Sequence, residues 1–286
     1  MAQKRTPIPV RSMADVSDHG IAVAKVSADS FRTDEALLHA HRHDYHFFVL
    51  QVEGVTITEI DFERYVIQNP SILYQSPNQV HRALKVEQLE MYLLLIKDEH
   101  LHPEYLTLLQ SISPVKPLEL EAGDLPIILQ AFSLCTGLYE RTADKLYFSL
   151  LKDSCNTVVA LFLSQYLKRT TPPSKLSRFE TIENAFARLL ETQFIAMKRP
   201  ADYAQQLHIS VSYLNECVRN VTGFPVSYHI QQRIILEAKR ELYHSDKSVK
   251  EIAALLGYDD YAYFSRLFTK IAGMPALAFR KKTVAH

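Results

Sequence analysis

Tryptophan is absent from this 286-residue chain, glycine and cysteine are scarce at 7 and 3 residues, and the formal net charge is zero. Because Leu, Ile, Val, Tyr and Phe recur throughout, the composition disfavours a disordered or low-complexity chain. The cysteines are widely spaced and form no CxxC pair, which excludes a disulfide scaffold or zinc cluster and indicates reduced thiols. No run of about 18 apolar residues occurs, and residues 1–20 lack the apolar core of a secretory signal. The sequence therefore predicts a cytoplasmic protein without a membrane span.

The zero net charge hides an asymmetry between two parts of the chain. Residues 1–174 hold 16 basic and 21 acidic side chains, whereas residues 175–286 hold 16 basic and 11 acidic ones. The length suffices for two domains, each with its own core. An acidic part followed by a basic part indicates that only the second faces a polyanion such as nucleic acid.

The composition and the pattern of apolar residues change at residues 170–177, TTPPSKLS, where adjacent prolines and polar flanks predict an exposed linker. Before it, Val-, Ile-, Tyr- and Phe-rich runs are separated by turn signals such as Glu53-Gly54, which predicts a sandwich or barrel. Two helical patterns follow the barrel, and every element after the linker reads as a helix. We predict an α+β chain: a β-barrel at 1–123, two helices and the linker at 124–174, and an all-α domain at 175–286.

The all-α part contains an internal repeat. The segment HISVSYLNECVRNVTGFPVSY aligns, fifty residues later, with YDDYAYFSRLFTKIAGMPALA. In each copy a helix starts at a capping residue, predicted as Ser210 and as Asp259 or Asp260. Each helix ends at a glycine, which suits a left-handed residue, and a proline follows two positions later. A short helix with a small residue, Ala204 or Ala253, precedes each copy, so each forms a predicted helix-turn-helix unit.

The second helix of each unit is predicted to bury one face and expose the other. The buried face comprises Leu214, Val218 and Val221, or Phe264, Phe268 and Ile271. The exposed faces carry short polar and arginine side chains of the kind that reach base edges: Ser212, Asn215, Glu216 and Arg219, then Tyr261, Ala262, Ser265 and Arg266. Flanking basic residues are expected to meet phosphates: Lys198, Arg199, Lys270, Arg280, Lys281 and Lys282. A connecting helix at 226–243 would let the two units enter successive major grooves, roughly 34 Å apart.

Residues 175–286 resemble the AraC/XylS family of bacterial transcriptional regulators, most specifically in IAALLGYDDYAYFSRLFTKIAGMPALAFRKK. The resemblance implies base contacts from Ser212, Asn215, Glu216, Tyr261, Ala262 and Arg266. Phosphate contacts are expected from Arg219, Lys270, Arg280 and Lys281. Glu216 departs from the family, where this position is often basic. An acid there repels phosphate but suits a cytosine amino group.

The first part resembles the cupin-like barrel that such regulators often carry, in HAHRHDYHFFVLQVEG and SPNQVHRAL. Alternate strand residues share a face, so His41, His43, Tyr45 and Phe47 are expected to lie together. With His81, two of these histidines are candidate metal ligands. Metal-binding cupins usually have a glutamate where this chain has Phe47 and Phe48. We therefore predict no metal and no cofactor, and an apolar or aromatic effector pocket formed by His41, His43, Tyr45, Phe47 and His81; a purely structural barrel is the alternative.

The helices after the barrel have an apolar side longer than a small barrel needs: Leu146, Leu150, Val158, Leu161 and Tyr166. This side favours a homodimer. The leading hypothesis is a transcriptional regulator, not an enzyme, whose barrel senses a small molecule or mediates dimerisation. Its expected partners are a double-stranded DNA operator, a second copy of the chain, RNA polymerase and a small-molecule effector. The alternatives are a cupin-type metalloenzyme with a helical appendage and a non-catalytic interaction scaffold.

Overall fold

The computed structural model describes residues 8–27, 39–68, 70–112, 116–169 and 177–284. The chain divides into two compact units, Pro9–Pro172 and one that contains Pro173–His286. The division falls within the predicted linker at 170–177, of which all but Ser177 lies outside the described residues. Of the helices that the structure describes, none is long and apolar enough to cross a membrane.

The first unit is built on one antiparallel sheet. Its strands are β2 (Ile21–Ser27), β4 (His46–Ile60), β5 (Glu63–Ile67), β6 (Ser71–Gln75), β7 (His81–Ile96) and β8 (Leu118–Glu119). They follow the order β2-β7-β4-β6-β8, with β5 paired to the end of β4. Two short strands, β1 (Val10–Arg11) and β3 (Arg42–His43), form a separate parallel pair.

The turn predicted at Glu53-Gly54 is wrong, because β4 runs straight through it. The register between β4 and β7 shifts on both sides of Glu53, and Gly54 has a φ of +97°. Such shifts are β-bulges, which bend a strand without ending it. The bulges on both sides of Glu53 therefore bend β4 within the sheet. Among the described strands β2 and β8 are not paired with each other, so the barrel is open in this part of the chain.

The two phenylalanines at the start of β4 point to opposite faces of the sheet, as consecutive strand residues must. Phe48 is fully buried and meets Phe162 edge to face, with ring centroids 5.5 Å apart. Phe47 packs on the other face, which we call the inner face, against a cluster that includes Val49 and Leu73. Phe47 therefore shares a face with the predicted pocket residues, and Phe48 does not.

Three helices pack with the sheet into one core on the Phe48 side: α1 (Pro103–Ser111), α2 (Leu125–Tyr139) and α3 (Tyr147–Arg169). The predicted apolar side of α3 is in fact divided. Val158 is fully buried in this core, and the Tyr166 hydroxyl donates to the Lys116 carbonyl at 3.1 Å. Leu146 and Leu150 remain exposed. Val158 and Tyr166 therefore fix the helix to the sheet instead of facing a partner.

Seven helices make up the described part of the second unit: α4 (Arg178–Gln193), α5 (Pro200–Gln206), α6 (Val211–Thr222), α7 (Val226–His244), α8 (Val249–Leu255), α9 (Tyr261–Ala272) and α10 (Ala276–Val284). The connecting helix predicted at 226–243 is α7, and its bounds agree with the prediction to within one residue. α7 joins the two predicted units and contributes Ile230, Ile234, Ile235, Ala238 and Leu242 to one shared core.

Charged side chains are buried along α7. Arg233 donates to Glu191 at 2.8 Å and to Glu237 at 3.2 Å, and Arg240 donates to Glu237 at 3.1 Å. The Arg233 guanidinium also lies 4.0 Å from the Phe194 ring centroid. Burial lowers the pKa of Arg233, but the Glu191 and Glu237 charges outweigh it and hold that pKa above its ordinary value. The sequence pattern does not reveal this network, because charged residues on a helix ordinarily face solvent.

Candidate DNA-binding site and histidine cluster

Each predicted unit is a short helix, a tight turn and a twelve-residue second helix. The Ser210 hydroxyl caps α6 by accepting from the Tyr213 amide at 3.2 Å. Asp260, and not Asp259, caps α9 by accepting from the Tyr263 amide at 2.9 Å. Both helices end at a left-handed glycine, which is what the repeat predicts. The small residues of the first helices, Ala204 and Ala253, are buried as expected.

The two turns share a left-handed residue that the sequence reading missed. His208 in the first unit has a φ of +54°, and Gly257 in the second has a φ of +76°. Each lies four residues after the buried alanine, and the next amide in each unit bonds back to that alanine's carbonyl. The left-handed conformation at Gly257 could have been predicted from the sequence, because glycine readily adopts a positive φ angle. A histidine such as His208 gives no such indication.

The glycines permit a stability prediction, since their positive φ angles disfavour other residues. Gly273 has a φ of +74° with no described atom within 4 Å of an added Cβ, so only the backbone resists substitution. We expect Gly273→Val to lower the free energy of unfolding by about 1–3 kcal/mol. Gly257→Val should cost more, because a Cβ there would lie 2.6 Å from the Ile195 carbonyl oxygen. Urea unfolding measures both, with Gly273→Asn as a milder control; an unchanged midpoint for Gly273→Val would contradict the assignment.

The exposed faces of α6 and α9 present most of the predicted base-reading residues to solvent. Ser212 and Glu216 are exposed on α6, and Tyr261, Ala262 and Arg266 are exposed on α9. Of the predicted phosphate contacts, Arg219, Lys270 and Lys281 are also exposed. The opposite faces are buried in the core through Leu214, Cys217 and Val218, and through Phe264, Leu267 and Phe268.

Val221 departs from the predicted buried stripe. It lies on the buried side of α6 but is 41% exposed, while Cys217 is fully buried in its stead. The position is the last turn of the helix, one residue before its end at Thr222. Helical spacing predicts the face of the helix on which a side chain lies, but not how far the neighbouring element that covers this face extends.

Asn215 is held within the domain more firmly than its prediction as a base reader implies. Its amide nitrogen donates to the Val211 carbonyl at 3.1 Å, and its Oδ1 accepts from the Val226 amide at 3.1 Å. The second bond satisfies an otherwise unpaired amide at the start of α7. Asn215 therefore joins α6 to α7, which leaves one amide hydrogen and one oxygen lone pair for any base contact.

Two of the predicted phosphate-binding side chains also have structural bonds. Arg280 donates to the Leu242 carbonyl at 3.1 Å and to the Lys247 carbonyl at 2.6 Å. Lys198 donates to the Phe194 carbonyl at 2.6 Å, and burial lowers its pKa to about 8. The bonds of Arg280 join α10 to the end of α7 and to the segment that follows it, and the bond of Lys198 joins the segment after α4 to the end of that helix. Both residues therefore stabilise the domain whether or not they bind DNA. The side chain of Lys282 lies outside the described residues.

In the first unit the structure brings all five predicted pocket residues together. His41, His43 and His81, which we call the histidine cluster, are buried, with ring centroids 4.5–5.0 Å apart. Tyr45 stacks on His43 at 4.5 Å, and Phe47 meets His43 edge to face at 5.1 Å. The five rings therefore form one aromatic group on the inner face. Burial lowers the pKa of His43 to about 2 and that of His81 to about 3, so both are neutral at pH 7.

Comparison with known proteins agrees with the helix-turn-helix geometry. Residues 203–282 match the family described as "Helix-turn-helix domain". The chain is 23% identical over 250 residues to the HTH-type transcriptional activator RhaR of Mannheimia succiniciproducens, covering 85% of this chain and 87% of that protein. It is 23% identical over 246 residues to the activator RhaS of Salmonella heidelberg, covering 84% and 86%. The crystal structure of ToxT from Vibrio cholerae matches at 14% identity with a TM-score of 0.38, over 87% of this chain and 92% of that one.

The fold and the sequence matches define a DNA-binding transcriptional regulator with a helix-turn-helix domain. The sequence matches support the resemblance of this chain to transcriptional regulators of the AraC family.

Proposed function

We propose that this regulator reads an operator with α6 and α9, which enter successive major grooves of double-stranded DNA. The observation that carries the proposal is the structural repeat. Two helices of equal length start at a side-chain cap, end at a left-handed glycine and expose a polar face. A scaffold needs no such matched polar faces, whereas base reading does.

The base-reading set consists of the residues exposed on these faces together with Asn215: Ser212, Asn215, Glu216, Tyr261, Ala262 and Arg266. The phosphate-binding set is Arg219, Lys270, Arg280 and Lys281. Arg266 is the strongest candidate for specificity, because a guanidinium bonds guanine through two donors. Glu216, at the matching position of the first helix, is proposed to accept from a cytosine amino group.

The isolated segment 175–286 is expected to fold and bind DNA, because the second unit has its own apolar core and an excess of basic residues. Fluorescence anisotropy with labelled duplexes should show binding that weakens by on the order of 10²-fold between about 50 and 200 mM salt, as about four phosphate contacts require. A helical, soluble fragment without DNA affinity at low salt would contradict the proposal.

The first unit is proposed to form a homodimer through α2 and the start of α3. Ile127 and Leu134 on α2, and Leu146 and Leu150 at the start of α3, are large apolar side chains exposed to solvent. The two residues of each pair lie seven or four positions apart, so they share a helix face, and exposed apolar surface of this kind is typical of protein interfaces. The dimer surface is thus shorter than the sequence indicated, because Val158 and Tyr166 are used within the unit.

Adding charge to this surface should separate the subunits. We expect the double variant Leu146→Glu, Leu150→Glu to be monomeric by light scattering at concentrations where the parent is dimeric. Val66→Glu, an equally exposed apolar position on β5, is the matched control and should stay dimeric. A parent that is monomeric at all concentrations, or a double variant that remains dimeric, would overturn the dimer proposal.

The first unit is further proposed to sense an effector at His41, His43, Tyr45, Phe47 and His81, and so to control DNA binding in the cytoplasm. RNA polymerase is the proposed downstream partner. The RhaR and RhaS relatives are transcriptional activators, which supports a regulatory role over the metalloenzyme and scaffold alternatives.

A further inference from the structure

The histidine cluster has the arrangement of a metal site although the sequence lacks the expected carboxylate. One nitrogen from each of His41, His43 and His81 lies within 4.8 Å of the other two, and all three residues are buried. In a tetrahedral site with metal–nitrogen distances of about 2.0–2.1 Å, ligand nitrogens are about 3.4 Å apart. Modest side-chain rotations would close that difference.

Backbone carbonyls orient two of the imidazoles in the same way. The Nδ1 of His41 is 2.8 Å from the His39 carbonyl oxygen, and the Nδ1 of His81 is 3.2 Å from the Gln79 carbonyl oxygen. Since a carbonyl only accepts, each Nδ1 carries the hydrogen, and the Nε2 of the neutral ring carries the lone pair. Carbonyl partners that fix the tautomer are typical of metal-binding histidines.

The main chain holds the three histidines in place. His41 and His81 exchange two backbone hydrogen bonds of 3.0 Å, and the Asn78 amide donates to the His43 carbonyl at 2.7 Å. The cluster therefore joins β3 to the turn before β7 and to β7 itself. Side chains on hydrogen-bonded segments are positioned more precisely than side chains on loops, because the hydrogen bonds restrict movement of the backbone.

We propose that His41, His43 and His81 bind one divalent transition-metal ion of the zinc class, with the fourth position taken by solvent or a small ligand. Three imidazoles suit zinc, cobalt, nickel or iron, and not calcium or magnesium, which require oxygen ligands. The place of the missing carboxylate is taken by Phe47, which closes one side of the cluster. The proposal concerns the first unit alone and does not depend on DNA binding.

The test is a cobalt titration of the full chain, freed of any affinity tag and stripped with a chelator. We expect saturation at one Co²⁺ per chain, with the visible absorption of tetrahedral cobalt, and displacement by Zn²⁺. His43→Ala and His81→Gln should each weaken binding by about 100-fold or more. His19→Ala, at an exposed histidine of the same unit outside the cluster, should leave binding unchanged.

Thermal unfolding supplies a second measurement. Saturating Zn²⁺ should raise the unfolding temperature of the parent and of His19→Ala, because Zn²⁺ binds only the folded state, and should not raise that of the cluster variants. If the variants fail to fold, imidazole nitrogen NMR of the parent must show Zn²⁺-dependent shifts at three histidines. No saturable Co²⁺ binding below about 100 μM, binding unaltered in folded His43→Ala, or unshifted imidazole signals would each overturn the proposal.

Discussion

Glu237→Ala is expected to destabilise the second unit by about 3–5 kcal/mol, the largest effect of any single substitution considered. The Glu237 carboxylate is buried and accepts from both Arg233 and Arg240. Removing it takes a buried counter-charge from both guanidinium groups, although Arg233 keeps its bond to Glu191, and the loss of a buried counter-charge costs more than the loss of one hydrogen bond. Since α7 carries much of the shared core, both helix-turn-helix units should loosen together.

Glu191 provides the matched control for that substitution. It also bonds Arg233, but its side chain is 58% exposed, so Glu191→Ala should cost about 1 kcal/mol or less. Urea unfolding followed by circular dichroism, with hydrogen exchange of the α7 amides, separates the two variants. Equal and small effects would show that the network contributes little. Replacing Arg233, Glu237 and Arg240 together by apolar residues of similar size should restore much of the stability.

Arg266→Ala should remove sequence preference at one position of the operator. The exposed guanidinium on α9 has the reach and the donors for a guanine, and losing such a contact costs about 1–3 kcal/mol, or roughly 5- to 150-fold in affinity. The loss should appear on the specific site and hardly at all on random DNA. Lys281→Ala, as a phosphate-contact control, should weaken binding to all sequences about equally. Equal losses for Arg266→Ala on both kinds of DNA would remove it from the base-reading set.

The second unit was largely predictable because its signals are local. Capping side chains such as Ser210 and the glycines at the helix ends act within one helical turn, so their spacing in the sequence is their spacing in the structure. The same holds for the exposed faces of α6 and α9. The sequence could not decide whether Asp259 or Asp260 caps α9, because the two neighbouring side chains are chemically equivalent.

The features that were missed depend on contacts distant in sequence. Whether Val221 is covered, or Val158 meets the sheet, depends on where a neighbouring element ends or packs, which periodicity does not contain. In the sequence, Asn215 resembles any exposed amide side chain on a helix. Its hydrogen bond to the start of α7 depends on how the two helices pack. The burial of Arg233 and Glu237 likewise requires the partner helix.

The histidine cluster lies between these two cases. Strand alternation predicted that His41, His43, Tyr45 and Phe47 share a face, and the structure places them in contact. The approach of His81 depends on the pairing of the segment before β7 with residue 41, which is long-range. Phe48, the next residue, lies on the opposite face, as strand alternation requires.

Selection of bound sites from random DNA with the full-length chain tests the central claim most directly, namely that two matched helices read one operator. The account predicts a single enriched motif with two blocks centred about one helical turn, 10–10.5 base pairs, apart. One block should contain a guanine whose enrichment is lost in the Arg266→Ala variant. Recovery of no enriched sequence, or of a single block unaffected by substitutions on either α6 or α9, would contradict it.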